Sequence, residues 1–382
     1  MDGDPWFDDC PDRRGTHSEK WERWAGRDVL PLWVADMDFR SPPAVIEALQ
    51  ARVEHGVFGY TLAPTELSEA VASHLETRHR WRIDPGHVVP IPGMVVGLNL
   101  AARAVGEVGD ECLVLTPIYP PFLTAPGNQG RRAVQVPLAD TADGWRIDWD
   151  ALERATSPRT RALWLCSPHN PTGRVFTRAE LERLAEHCLR HDLTIVSDEA
   201  HADLVIDPRV THLPTVTLGS EIAARTITLL APSKTWNLPG LGCALAVIPD
   251  ASLRRRFKAA MAGLVPWVNA LGLTAAVAAY RDGGPWLDRL LVYLRGNHDL
   301  LATTLARLPS LRWHAPEATY LAWLDCRGAG HADPAARCEA FGLGVSDGRL
   351  FAGAGGIRLN LGCPRTRLVA ALTRLENAFT SG

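Results

Sequence analysis

Several features of common protein classes are missing from this 382-residue sequence. Its eight cysteines are scattered without any C-x-x-C pair, which favours reduced, buried thiols over a disulfide framework or a zinc site. No uninterrupted apolar run approaches the roughly 20 residues of a spanning helix, and the aspartate-rich start does not resemble a secretory signal. The 40 basic and 43 acidic side chains nearly balance, so composition does not support a nucleic-acid partner. We therefore expect a cytoplasmic protein that acts on a small molecule without a membrane or nucleic-acid partner.

Lysine is also scarce, because arginine supplies nearly all the positive charge and only Lys20, Lys234 and Lys258 are present. Arginine stays protonated and cannot replace an amine nucleophile, so lysine chemistry has three candidates. Lys20 and Lys258 have neighbours that indicate no chemical role. Lys234 lies between an apolar run and a Pro-Gly turn, where a buried strand would end. Burial lowers a lysine pKa and makes the free amine available for imine formation.

The order of elements predicts an α/β fold with a mostly parallel sheet and helices on both faces. The length indicates two packed domains. We place a large domain at 45–285 and a smaller α+β domain at 286–382, with the segment 1–44 packing on the smaller one. Predicted strands are 112–115, 133–136, 162–166, 194–197, 226–230, 244–248, 311–313 and 320–324. Predicted helices are 44–54, with Ser41 as its cap, and 67–80, 94–105, 178–191 and 286–308.

Polar loops follow three of these strands, at 167–173, 197–201 and 231–237. In a parallel sheet, ligands collect beyond the carboxyl ends of the strands. A single acid after a strand, such as Asp198, is common without any function. Three such loops together indicate a binding site that includes Lys234.

The motifs of these loops, Asn-Pro-Thr-Gly (170–173), Asp-Glu-x-His (198–201) and Ser-Lys (233–234), resemble those of fold type I pyridoxal 5'-phosphate (PLP) enzymes, the aspartate aminotransferase superfamily. Longer segments are similar to the MalY/PatB group of cystathionine β-lyases and cysteine-S-conjugate β-lyases. These segments are Pro-Leu-Trp-Val-Ala-Asp-Met-Asp-Phe (31–39), Phe-Gly-Tyr-Thr (58–61), Thr-Pro-Ile-Tyr-Pro-Pro-Phe (116–122), Ala-Pro-Ser-Lys-Thr-Trp-Asn-Leu (231–238) and Arg-Leu-Asn-Leu-Gly-Cys-Pro-Arg (358–365). The resemblance spans nearly the whole chain and implies the fold type I PLP-dependent transferase fold.

The resemblance implies a role for each residue around the cofactor ring. Lys234 would hold PLP as a Schiff base and then remove the Cα proton as general base. Asp198 would pair with the pyridine nitrogen and keep it protonated. His201 and Asn170 would contact the phenolic oxygen of the ring, and Tyr119 would stack on it. Tyr119 is therefore predicted to be catalytic together with Lys234 and Asp198.

The cofactor phosphate has weaker signals in the sequence. Gly93 and Met94 open a helix after a Pro-Gly turn, so their amides could bind the phosphate with the helix dipole behind them. Ser233 is a further hydroxyl donor by the same resemblance. Many superfamily members have an arginine eight residues after the lysine, but this position is Gly242, so no phosphate cation can be assigned. Tyr60 would reach the phosphate of a neighbouring subunit, which implies a homodimer with shared active sites.

Substrate binding is assigned by the same resemblance. Arg358 would bind the substrate carboxylate through its planar fork. Asn170 and Ala35, the latter through its backbone, would line the same side of the pocket. The implied reaction is α,β-elimination from an L-cysteine S-conjugate or thioether, giving a thiol, pyruvate and ammonia.

Departures from the family pattern keep other functions open. Trp267 lies in Pro-Trp-Val-Asn where Pro-Phe-Gly is usual, Trp236 replaces Phe, and Arg349 replaces a small residue; we expect all three to face the substrate. An aminotransferase or a decarboxylating oxidative deaminase, acting on a bulky cysteine S-conjugate in antibiotic or other secondary metabolism, is the alternative within the enzyme class. A regulatory role through binding another protein is the alternative outside it.

Overall fold

The computed structural model describes residues 4–380 and contains fourteen α-helices and fifteen β-strands within them. The helices are α1 (Glu19–Glu22), α2 (Pro43–Glu54), α3 (Thr65–His79), α4 (Met94–Ala104), α5 (Pro121–Asn128), α6 (Trp149–Ala155), α7 (Arg178–Arg190), α8 (Ser220–Ala223), α9 (Pro232–Thr235), α10 (Ala251–Met261), α11 (Ala270–Asp282), α12 (Gly284–Leu305), α13 (Pro334–Ala340) and α14 (Arg365–Thr380). The strands are β1 (Leu30–Pro31), β2 (Val88–Ile91), β3 (Glu111–Thr116), β4 (Arg132–Pro137), β5 (Ala139–Thr141), β6 (Gly144–Arg146), β7 (Thr160–Cys166), β8 (Thr194–Asp198), β9 (Thr226–Leu230), β10 (Ala244–Val247), β11 (Arg312–Trp313), β12 (Leu321–Asp325), β13 (Leu343–Gly344), β14 (Ser346–Asp347) and β15 (Gly356–Asn360).

The main sheet has seven strands in the order β2-β10-β9-β8-β7-β3-β4. Strand β10 runs in the direction opposite to the other six strands, which confirms the predicted mostly parallel sheet. Side chains alternate between the two faces, so Ile195 packs with α6 and α7 while Val196 packs with α4, α5 and α10. Helices cover both faces of the sheet. Because β7, β8 and β9 are parallel, their carboxyl ends lie at the same edge of the sheet, and the three polar loops follow them there.

A second sheet, in the order β11-β12-β15-β14, is formed by the C-terminal part of the chain. The N-terminal segment joins it through β1, which pairs in parallel with β13. The same segment also contacts α12, since Phe7 packs on Trp286 and Tyr293. The division at 285/286 stays a prediction, and the long helix α12 begins at Gly284, next to that boundary.

Most predicted elements are confirmed, and their ends shift by no more than a few residues. The capping prediction for α2 was wrong: Pro42 is the N-cap residue, and the Ser41 hydroxyl donates instead to the carbonyl of Asn237. Several elements were not predicted, among them the sheet strands β2 and β15 and the helices α5, α10, α11 and α14. Seven of the eight cysteines are buried, as their spacing indicated. Among the helices of residues 4–380, none is long and apolar enough to cross a membrane.

The lysine that the sequence left without a role, Lys20, is fully buried and forms an ion pair with Asp38 at 3.2 Å. The Asp38 carboxylate also accepts from Arg13 and Arg367, at 3.1 Å and 2.6 Å. Burial opposes the charge of Asp38, but Lys20 and Arg367 outweigh it and hold the pKa of this carboxyl below its usual range. Lys20 is therefore retained to neutralise a buried carboxylate of the N-terminal segment.

We expect Asp38→Ala to lower the free energy of unfolding by about 3–5 kcal/mol, because it leaves Lys20 buried without its partner. The matched control is Asp12→Ala, which removes an exposed pair with Arg14 and should have a much smaller effect, because solvent screens this pair. Urea unfolding followed by circular dichroism measures both. Because the pKa of Asp38 is lowered by folding, its stabilisation should be present above the ordinary carboxyl pKa and be lost as the pH falls below it. Equal effects of the two substitutions would contradict this assignment.

Candidate active site

Asp198 ends strand β8 and is buried among the three polar loops. Its carboxylate accepts a hydrogen bond from the amide of Ala200 at 3.1 Å. Burial raises the pKa of Asp198 to about 6, against the opposing effects of that amide and of the Lys234 charge. A buried carboxylate of this kind is stabilised when a cation is placed against it.

Lys234 lies in α9, the single helical turn that follows β9. Its Nζ donates to the carbonyl oxygen of Ala35 at 2.7 Å. Burial and the nearby Arg358 guanidinium lower the pKa of Lys234 to about 8, while Asp36 and Asp198 act in the opposite direction. The structure therefore places a readily deprotonated amine close to the carboxylate of Asp198.

In the protein without cofactor, we expect acylation of Lys234 to be half-maximal near pH 8, well below the ordinary lysine value of 10.5, because only the free amine reacts. Mass spectrometry of peptides after brief labelling across a pH series measures this, and the exposed Lys258 serves as internal reference. Half-maximal labelling above about pH 10 would contradict the inferred desolvation of Lys234.

Arg358, in β15, is a buried cation of the same site. Its Nη1 donates to Asn170 Oδ1 at 2.9 Å and its Nη2 to the Trp33 carbonyl at 2.8 Å, while the guanidinium lies 4.6 Å from the centre of the Phe351 ring. Burial lowers its pKa to about 10. Within residues 4–380 no carboxylate pairs with it, and its buried Nε has no hydrogen-bond partner. Such a guanidinium fits an anionic ligand, since buried charges are normally paired.

His201 and Tyr119, two further predicted site residues, lie close to the charged groups of this site. Burial, reinforced by the charges of Lys234 and Arg358, lowers the pKa of His201 to about 3, so its ring is neutral. The buried Nδ1 of His201 has no hydrogen-bond partner among the described residues. Burial and the charge of Asp198 raise the pKa of Tyr119 to about 12, and the Tyr119 amide donates to the Asn170 carbonyl at 3.0 Å. Both groups therefore remain neutral hydrogen-bonding partners near Asp198.

Gly93 and Met94 begin α4, as predicted. Gly93 has φ +157°, and a Cβ built there would meet no described heavy atom within 4 Å, so the helix N-terminus faces open space. A Cβ on Gly242 would lie 3.3 Å from the Pro92 carbonyl, next to the same turn. Ser233 lies partly buried in α9 beside Lys234. This arrangement fits a phosphate group bound by backbone amides and a hydroxyl rather than by arginine.

Tyr60 is the predicted site residue that the single chain does not bring to the others. Its side chain is completely exposed, and Phe58 beside it is 58% exposed. Together with 265–271, the segment 58–61 lines an open cavity of about 790 Å³. Trp267 also lines this cavity.

The segment 33–39 contributes a row of carbonyl acceptors, of which the sequence had indicated only the backbone of Ala35. The Asn360 side-chain amide donates to the carbonyls of Val34 and Asp36, at 2.6 Å and 2.7 Å. Asn237 donates in the same way to the carbonyls at positions 37 and 39. The buried Tyr320 hydroxyl donates to the Ala35 carbonyl at 3.0 Å, so this oxygen also receives a second donor besides Lys234. Asn237 and Asn360 lie in the family-like segments 231–238 and 358–365 quoted above, so the sequence offered a signal for both. No sequence motif pointed to Tyr320.

Two expectations for substrate-facing residues were wrong. Trp236 is fully buried, donates to the Gly283 carbonyl at 3.1 Å and packs on His74 and Tyr280, so it belongs to the core. Arg349 is held on the surface by ion pairs with Asp333 and Asp347, at 2.6 Å and 2.5 Å. The change from a small residue to arginine at this position is therefore accommodated by acidic neighbours on the surface.

Comparison with known proteins identifies the family. The model for aminotransferase class I and II matches residues 27–375. The chain belongs to this family. Cystathionine beta-lyase PatB of Bacillus subtilis is 38% identical over 98% of the chain and 100% of the relative, which places the chain in the MalY/PatB group.

Solved structures agree with this assignment. The crystal structure of OvoB has a TM-score of 0.96 and 47% sequence identity, and covers 98% of this chain and 99% of that one. Cystalysin from Treponema denticola, whose structure contains a pyridoxal 5'-phosphate cofactor, has a TM-score of 0.93 and 31% identity, with 99% of both chains covered. The predicted fold type I architecture is confirmed over 98–99% of the chain.

Proposed function

We propose that the protein is a PLP-dependent carbon–sulfur β-lyase that cleaves an L-cysteine S-conjugate or thioether. The reaction adds one water and gives the thiol, pyruvate and ammonium. The observation that carries the proposal is a desolvated amine, Lys234, in one site with the buried carboxylate of Asp198 and the unpaired buried guanidinium of Arg358. The names of the relatives, cystathionine beta-lyase and cystalysin, support the same chemistry.

The residues present fit the cofactor. Lys234 would hold it, Asp198 would lie against its pyridine nitrogen, and the N-terminus of α4 with Ser233 would bind its phosphate. The orphaned Nδ1 of the neutral His201 is available for a ring substituent. When bound, PLP supplies an electron sink that stabilises negative charge at the substrate Cα.

The side chains of this chain then divide the remaining work. Arg358 would bind the substrate carboxylate, with Asn170 fixing the orientation of its guanidinium through the 2.9 Å hydrogen bond. Lys234, with its lowered pKa, would take the proton from Cα as a free amine. Tyr119 would cover the ring, remaining protonated because its pKa is raised. Binding of the carboxylate by Arg358 would hold the substrate in the same site as the Lys234 amine, which would take the Cα proton before the β-thiolate leaves.

A homodimer with shared sites is part of the proposal. The cavity at 58–61 and 265–271 has an apolar surface formed by the fully exposed Tyr60, by Phe58, which is 58% exposed, and by Trp267, which is 64% exposed. Exposed apolar surfaces of this type are commonly covered by another chain. A second copy would bring its Tyr60 to the phosphate side of the site, and sedimentation of wild type and Tyr60→Ala with PLP tests this contact.

The test of function is the release of pyruvate from S-substituted L-cysteines by the PLP-loaded protein, with no keto acid added. Pyruvate and thiol formed in equal amounts support the lyase. Product formation that requires a keto acid would indicate an aminotransferase, and an aldehyde in place of pyruvate would indicate decarboxylative oxidation. Because pyruvate can also arise from contaminating enzymes, the Lys234→Ala protein prepared in parallel is the control.

A further inference from the structure

A buried hydrogen-bond cluster includes Thr235, the residue that follows Lys234, and has no role in the proposed reaction. Its centre is Asp203, whose side chain is only 9% exposed. Asp203 Oδ1 accepts from His74 Nε2 at 2.8 Å and from His79 Nε2 at 2.9 Å, both at the C-terminal half of α3. Asp203 Oδ2 accepts from the Thr235 hydroxyl at 3.1 Å. One carboxylate thus joins α3 to the residue that follows Lys234.

Asp203 remains an acceptor across the ordinary pH range. Burial opposes its charge, but the two histidines outweigh this effect and keep the pKa of Asp203 well below its usual range. Its carboxylate therefore cannot donate to the Thr235 hydroxyl, which has to be the donor. A hydrogen bond to an ionised acceptor is stronger than one between neutral groups, so Thr235 is firmly anchored.

Trp236, the next residue along the chain, is also held by a contact with His74. Trp236 packs on the ring of His74, with a centroid distance of 5.3 Å, and on Tyr280 at 4.9 Å. Helix α9 is one turn of four residues, and its N-cap residue makes no side-chain capping bond. Such a short turn is not rigid by itself, because nucleating a helix is unfavourable. The direction of Lys234 therefore depends on how residues 235 and 236 are held.

We propose that Asp203 and Thr235 are positioning residues that aim the Lys234 amine. Asp203 follows Asp198 and His201 on the loop after β8, so the same short segment provides the ring-facing groups and the anchor for the amine. The anchor fixes the amine relative to the Asp198 side of the site, while the Ala35 carbonyl at 2.7 Å holds it from the N-terminal segment. The kinetic test of this inference rests on the proposed function. Cofactor uptake tests the inference independently of catalysis.

The test compares Thr235→Val, which keeps the shape and removes the hydroxyl, with Thr235→Ser, which keeps the hydroxyl. Displacing a reacting group by about 1 Å can cost about 10²-fold in rate, so Thr235→Val should lower kcat by about 10- to 100-fold and leave KM within about twofold. Thr235→Ser should recover kcat to within about threefold of wild type. The rate at which the cofactor-free protein takes up PLP, followed by absorbance, should fall in Thr235→Val and recover in Thr235→Ser.

The matched control is Thr226→Val, at the start of β9, the strand that precedes α9. Thr226 is buried and its hydroxyl donates to the Ile222 carbonyl at 2.7 Å, so its loss should lower the melting temperature much as Thr235→Val does. It should leave kcat and PLP uptake unchanged. If Thr235→Val matches Thr226→Val in kcat and uptake, the role is structural only and the inference is overturned. If the wild type takes up PLP but releases no pyruvate, the proposed function fails while uptake still tests the anchor.

Discussion

Replacing Lys234 by alanine is expected to lower kcat/KM for pyruvate release by at least about 10³-fold. The substitution removes the amine that would hold the cofactor and the base that would take the Cα proton. Arginine cannot take over either task, and the other two lysines are a buried ion-pair partner and an exposed side chain. Steady-state pyruvate assays on PLP-saturated protein measure the effect.

The folded structure should survive this substitution. Burial of Lys234, which lowers its pKa to about 8, opposes folding because a charged amine loses its hydration. Its removal deletes one hydrogen bond, to the Ala35 carbonyl. We expect an unchanged circular dichroism spectrum and a melting temperature close to that of wild type. Lys258→Ala, on the exposed face of α10, is the matched control and should retain full activity. Activity of Lys234→Ala above about a tenth of wild type would contradict the proposed mechanism.

Arg358→Ala is the second substitution with a large expected effect. Truncating one partner of a buried charge pair typically costs about 2–5 kcal/mol, so we expect kcat/KM to fall by about 10²- to 10³-fold, mainly through a rise in KM. Loss of the carboxylate contact should also reduce discrimination between an S-conjugate of cysteine and its decarboxylated amine analogue. Kinetics with the two compounds measure both effects.

A lysine at this position distinguishes charge from geometry. Arg358→Lys keeps the cation but cannot donate at once to Asn170 and the Trp33 carbonyl while presenting a fork to the substrate. We expect it to remain at least about tenfold below wild type. Arg349→Ala removes an arginine that pairs with two surface acids, and it should change kcat/KM by less than about twofold. Equal losses for the two alanine variants would show that Arg358 has no special role.

Local sequence signals predicted much of the fold and of the site. A β-strand followed by turn-forming residues is recognisable within about ten positions, because side-chain periodicity and turn chemistry are both local. This is why the ends of β7, β8 and β9, and with them Asn170, Asp198 and Lys234, were placed correctly along the chain. The turn at Gly93 that opens α4 was predicted for the same reason.

Contacts between distant segments were not predictable in this way. Thr235 and Asp203 lie 32 positions apart and Tyr320 and Ala35 lie 285 apart, and no periodic pattern links such pairs. Trp236 was misplaced because it adjoins Lys234 in the sequence, whereas successive residues of a helical turn point in different directions. The exposed Tyr60 shows a further limit, since the proposed contact of this residue with a second copy cannot form within one chain.

The segment 33–39 has a consequence for how this enzyme can change over evolution. It binds Arg358, Asn360, Lys234 and Asn237 through its carbonyl oxygens, which every amino acid possesses. Replacing a side chain there does not delete these acceptors, so at the partly exposed positions 33, 34 and 36 the side chains can be exchanged while the row of carbonyl oxygens is kept. Removing or inserting one residue would instead shift the whole row of oxygens past its donors. Natural and laboratory variants should therefore tolerate replacements at positions 33, 34 and 36 better than at the buried positions 35 and 37–39, and should tolerate hardly any change in the length of the segment.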